Sequence, residues 1–172
     1  MPQPNRPATR NGTGQTRQEP APSVRDSANR LYRTALECVR QRERYSRLVE
    51  AGAHEFEQQA ALRVACLCDD ILLDSVRAYE KAVANEPSKS DDDWWHKANS
   101  LWHACREYQR RHHNCEESAR QLTSRKPGKF GELTLAFDLE ASALLATRLA
   151  MAAYRKVSPG AELDDRPQSF VA

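Results

Sequence analysis

The thiols and imidazoles are the side chains of this chain best suited to chemistry. Cys38, Cys68, His112 and Cys115 combine soft sulfur with imidazole nitrogen, a donor set that Zn²⁺ or another thiophilic metal accepts. Helix register brings them near one level: reflection about Gly52 sets Cys38 beside Cys66, and reflection about Ser88 sets Cys66 beside Arg110, within two residues of His112. Cys66 and Cys68 stand two apart, which on a helix turns them about 200° from each other, so both cannot face one ion. No Cys-x-x-Cys or His-x-x-x-His spacing occurs. The preferred reading is therefore small buried thiols, a satisfied core histidine and no cofactor, with the four-residue metal set as an alternative.

A carboxylate-bridged di-iron centre needs Glu-x-x-His on two helices. The nearest match is Asp93-x-x-His96, at a helix start. Arg106 followed by His112 or His113 resembles the Arg-x(4–6)-His motif of HEPN-type ribonucleases, which are also helical bundles. The resemblance implies an Arg and a His acting on one phosphate. On an unbroken helix Arg106 and His112 lie about 120° apart, and Arg106 and His113 about 10 Å apart, so convergence requires a break between them. No Ser-His-Asp order, phosphate loop or glycine-rich nucleotide fingerprint is present.

Basic and aromatic residues mark two candidate surfaces. Residues 23–51 and 125–157 each sum to +3 while 53–86 sum to −4. An antiparallel bundle would gather the first two into a basic edge with Arg40, Arg44, Arg47, Arg148 and Arg155, suited to an acidic protein or a nucleic-acid backbone. Trp95 and Trp102 are seven residues apart, 80–100° off the apolar stripe of their helix on an ideal wheel. That position at the rim between core and solvent suits packing against a neighbouring helix, with partner-binding anchors as the alternative, because an indole buries much area at low entropic cost.

The elements that position these groups are helices. Ala98, Leu101, Cys105, Tyr108, His112, Cys115, Ala119 and Leu122 step 3-4-3-4-3-4-3, a helical stripe that a strand cannot make. Ser90 with Asp93 reads as the cap of this helix. Ser23 with Asp26 caps an earlier one, whose stripe is Val24, Ala28, Leu31, Ala35, Cys38, Arg42, Tyr45 and Val49. Arg42 is the misfit there, placed to snorkel from a stripe edge. Gly52 reads as a C-cap in a short connection. A second helix over roughly 53–85 offers Phe56, Ala60, Val64, Leu67, Cys68, Ile71, Ser75, Ala78, Tyr79 and Ala82 as a wide apolar face. A fourth, over roughly 130–157, is apolar all round: Leu133, Phe137, Leu144 and Met151 on one side, Leu135, Leu139, Leu145 and Leu149 on another.

These four segments predict an all-α, antiparallel up-down-up-down four-helix bundle over 23–157. Residues 1–22, rich in Pro, Gln and Thr, read as a disordered tail, and the acidic 158–172 as a mobile one. Hydrophobic residues at 40% and charged residues at 29% suit a globular domain, and six glycines in 172 residues disfavour a β-rich fold. An odd five cysteines without framework spacing point to reduced thiols and a cytoplasmic location. No apolar run is long enough to span a membrane. Arg6, Arg10 and Arg17 against Glu19 account for the whole net charge of +2, so the rest of the chain is balanced, a poor footing for nucleic-acid binding. The expectation is a non-enzymatic interaction or scaffold protein that binds another protein or itself. A nucleic-acid-associated or ribonuclease role and a metal-binding bundle are the alternatives.

Overall fold

The computed structural model describes residues 22–86, 92–123 and 130–162. Four helices follow one another: α1 (Val24–Glu50), α2 (Glu55–Asn85), α3 (Asp93–Thr123) and α4 (Phe130–Val157), then a 3-10 turn, Pro159–Glu162. Among the described residues there is no strand. At a rise of 1.5 Å per residue the helices are about 40–47 Å long.

Local chemistry sets their ends. The Ser23 hydroxyl accepts from the Asp26 N–H at 3.1 Å and donates to the Asp26 carboxylate at 2.7 Å. At the other end of α1, Gly52 takes φ +63°. Its N–H bonds the Val49 carbonyl, and the Ala53 N–H bonds the Leu48 carbonyl. Those two bonds make a Schellman motif, which satisfies carbonyls that the helix end would otherwise leave open. The His54 imidazole caps α2 by accepting from the Phe56 N–H. The α3 cap is Asp92, whose carboxylate accepts from the Trp95 N–H at 2.8 Å. The Ser90 expected in that role lies outside the described residues.

Pairs of contacts give the helix directions. Asn29 meets Tyr154 while Glu43 meets Arg148, so α1 and α4 run antiparallel. Asp69 meets Gln109 while Tyr79 meets Asn99, and Ala104 meets Thr147 while His112 meets Glu140, so α2–α3 and α3–α4 are antiparallel too. The most extensive packing is within the α1–α2 and α3–α4 hairpins. One core joins all four helices. It runs over Val24–Val39 of α1, Cys68–Tyr79 of α2, Trp95–Tyr108 of α3 and Ala143–Tyr154 of α4. Tyr79, Tyr108, Tyr154, Leu31, Leu72 and Leu101 are its largest fully buried side chains.

The faces of α1 and α3 match their stripes in this half, where Ala98, Leu101, Cys105 and Tyr108 are all buried. Two expectations about faces are corrected, one on α2 and one at the end of α1. Phe56, Val64 and Leu67 point to solvent, Phe56 with 74% of its surface exposed, while Cys68, Ser75 and Tyr79 of the expected face are buried together with Ala61, Ala65, Leu72 and Val76. On α4 the buried face is Ala143, Thr147, Met151 and Tyr154, while Leu135, Phe137, Leu145 and Leu149 are exposed. Val49, at the end of the α1 stripe, is exposed as well. Small residues let neighbouring helices approach closely, so the inward face need not be the one with the largest side chains.

The packed chain continues past Val157. Ser158 donates to the Asn29 side-chain oxygen at 3.0 Å, and Ala161 is fully buried in a turn that contacts α1. That segment, expected to be mobile, therefore begins inside the folded unit. Residues 1–21 and 163–172, the rest of the expected tails, lie outside the described residues.

Candidate functional site

Where the apolar core ends, each of the four helices sends one charged or ionisable side chain inward. These are Arg42 from α1, Asp69 from α2, His112 from α3 and Glu140 from α4. Arg42 does not snorkel outward as expected. Its guanidinium pairs with the Asp69 carboxylate, whose side chain is only 5% exposed. The misfit in the α1 stripe is thus a core residue whose partner stands 27 positions away in sequence. The other Asp69 oxygen accepts from the Cys38 thiol at 2.9 Å and from the Tyr108 hydroxyl at 3.0 Å. The Asp69 backbone carbonyl accepts from Gln109 at 2.8 Å. His112 Nδ1 lies 2.8 Å from Glu140, and Nε2 lies 3.4 Å from Asp69 and 3.6 Å from Glu116. An Arg42 nitrogen lies 3.0 and 3.2 Å from the two ring nitrogens, and the ring stacks on Tyr108 at a 12° interplanar angle.

The electrostatics of the cluster favour neutral thiols. Burial, then the Asp69 charge, drives the Cys38 thiol far above its ordinary range. Burial pushes Cys105 up to about 12, and burial with nearby carboxylates pushes Cys68 and Cys115 up to about 11. The nucleophilic and metal-binding form of cysteine is the thiolate, which these environments disfavour. Burial works to raise the Glu140 carboxyl, but His112 first, then the Cys115 hydrogen bond and the Arg42 charge, together outweigh it and hold Glu140 below the usual carboxylate range.

Of the metal set, Cys38 and His112 both reach Asp69, and Cys115 stands beside Glu140 with His112. Among the described residues no three His, Cys, Asp or Glu side chains converge in a geometry that could hold an ion. All five cysteines are free thiols. Arg106, His112 and His113 line one cleft of about 530 Å³ between α2 and α3, together with Asp69, Asp70 and Gln109. The helix that carries them is unbroken from Asp93 to Thr123. Arg106 faces Glu80 at 3.8 Å and lies over the Trp102 ring, while His112 is held by Glu140.

The two indoles do not form an open edge. Trp95 is a core residue, 8% exposed. Trp102 is half-buried against Tyr79, and its ring also contacts His103 and the Arg106 guanidinium. Arg40, Arg44, Arg47 and Arg155 are exposed, but Arg148 is tied to Glu43 at 2.6 Å in a bridge between α4 and α1. The accessible apolar surface lies elsewhere, on α4 (Leu135, Phe137, Leu145, Leu149) and on the first half of α2 (Phe56, Val64, Leu67). The all-round apolarity of α4 was the signal for the first of these. The second was hidden, because the α2 residues read as an inward face.

No helix among the described residues is long and apolar enough to cross a membrane. Compared with family models, curated proteins and solved structures, the chain matches none.

Proposed function

We propose that this protein is a non-enzymatic helical interaction module that binds another protein or a second copy of itself. One observation carries the reading: four large apolar side chains of α4, Leu135, Phe137, Leu145 and Leu149, are more than half exposed on a helix whose opposite side is already packed into the core. Scattered apolar residues are ordinary on a surface, whereas a group of them along one rigid helix is the mark of a surface that another chain covers. The buried polar cluster supports the same reading, because its charged groups pair with one another and its thiols are held protonated. In this reading Arg42, Asp69, His112 and Glu140 fix how four helices meet and so keep the outer face of α4 rigid.

The test compares wild type with a Leu145→Glu/Leu149→Glu variant, by sedimentation and by affinity capture from the native cell. The wild type is expected to associate, and the variant to lose association while keeping its helical circular dichroism. A wild type that sediments as a monomer and captures nothing that the variant fails to capture would overturn the proposal.

A further inference from the structure

The exposed face of α4 has an order along its length that points to its occupant. Asp138, Ser142, Leu145, Leu149, Ala152 and Lys156 step 4-3-4-3-4, and all six are exposed. On an ideal helix they lie within about 40° of a common direction, the narrow seam of a coiled-coil pair. Read from either end the seam runs charge, small residue, leucine, leucine, small residue, charge, and the two charges are opposite in sign. The Ser142 hydroxyl donates to its own helix, to the Asp138 carbonyl at 2.8 Å, so the seam carries no unpaired hydroxyl donor at that position. Arg148 beside the seam is paired with Glu43, whereas Asp138 and Lys156 have no ion-pair partner among the described residues.

We infer that this seam is a self-recognition surface, on which α4 of a second copy packs antiparallel about a twofold axis at the level of residue 147. The inference rests on the interaction reading above and names its partner. In that register Leu145 meets Leu149 of the second copy, Ser142 meets Ala152, and Asp138 meets Lys156, each contact occurring twice by symmetry. The small residues allow close approach on either side of a four-leucine centre. The charges at the ends select the direction, because parallel pairing would set Asp138 against Asp138 and Lys156 against Lys156. A seam that is complementary to its own reverse fits another copy of the same chain. An unrelated partner would not require that order.

The test is the concentration-dependent mass of the full chain by sedimentation equilibrium. The wild type is expected to be dimeric. Asp138→Lys and Lys156→Asp, taken singly, each replace two attractive contacts by two repulsive ones, and each is expected to weaken the dimer about tenfold. The two single variants mixed together are expected to form a heterodimer of wild-type affinity, and the double variant Asp138→Lys/Lys156→Asp to dimerise like wild type. All four proteins should keep wild-type helical content, since both positions are exposed. A wild type that stays monomeric at high concentration overturns the inference. If it then captures another protein through Leu145 and Leu149, the interaction reading stands and only the second copy is lost. A dimer indifferent to both charge swaps, or single variants whose mixture does not regain affinity, overturns the antiparallel register.

Discussion

Replacing Asp69 by Asn removes one charge from the centre of the bundle with almost no change of shape. The asparagine oxygen can still accept from Cys38 and Tyr108, but its NH₂ would face the Arg42 guanidinium, donor against donor. Arg42 would then keep a charge buried at 16% side-chain exposure without its nearest counter-ion. Breaking one side of a buried pair costs about 3–5 kcal/mol. Glu140 also acts on Arg42 and remains in place, so the lower end applies, about 3 kcal/mol. With a urea m-value of about 2 kcal/mol/M for a chain of this size, the midpoint should fall by about 1.5 M, followed by circular dichroism at 222 nm. Arg42→Met leaves Asp69 with its thiol and hydroxyl donors and His112 3.4 Å away, and should cost less. The double variant should be more stable than the sum of the singles by at least about 1 kcal/mol, because it leaves no orphaned charge. If each single variant costs under about 1 kcal/mol and the effects simply add, the cluster does not hold the helices together and the reasoning fails.

Four further outcomes are expected. Gly52→Ala should lower stability by about 1 kcal/mol in urea titration, because φ +63° strains any residue with a Cβ even though no atom lies within 4 Å of where that Cβ would sit. Cys105→Ser places a hydroxyl at a fully buried position, with an expected loss of about 1–3 kcal/mol. In thiol labelling of the native wild type at pH 8, Cys66, the only one of the five that is not buried, should react first, and Cys105 should react only with global unfolding. The last outcome concerns acid. Glu140 has a folded pKa below its ordinary 4.5, so its contribution to stability is complete above that value and is lost as pH falls through the lower folded one. Midpoints measured from pH 6 to pH 3 should therefore drop in wild type below about pH 4.5, and less steeply in Glu140→Gln.

The number of helices, their limits and the inward stripes of α1 and α3 were legible in the sequence because each depends on neighbours in the chain. Ser23 reaches Asp26, Gly52 closes the end of α1, and Ala98, Leu101, Cys105 and Tyr108 align simply because a helix turns every 3.6 residues. Periodicity names a face but cannot rank two apolar faces of one helix. On α2 and α4 that choice fell to tertiary packing, which buried alanines, a threonine and a methionine and left Phe56, Leu145 and Leu149 outside. The polar cluster was beyond local signals for the same reason. Arg42 looked like an edge residue, and nothing near Asp69 or Glu140 in the chain marked a partner, until helix pairing joined positions 27, 28 and 70 residues apart. A buried charge is tolerable only when its counter-charge is buried beside it, and which charges meet is decided by the assembled bundle, not by any one helix.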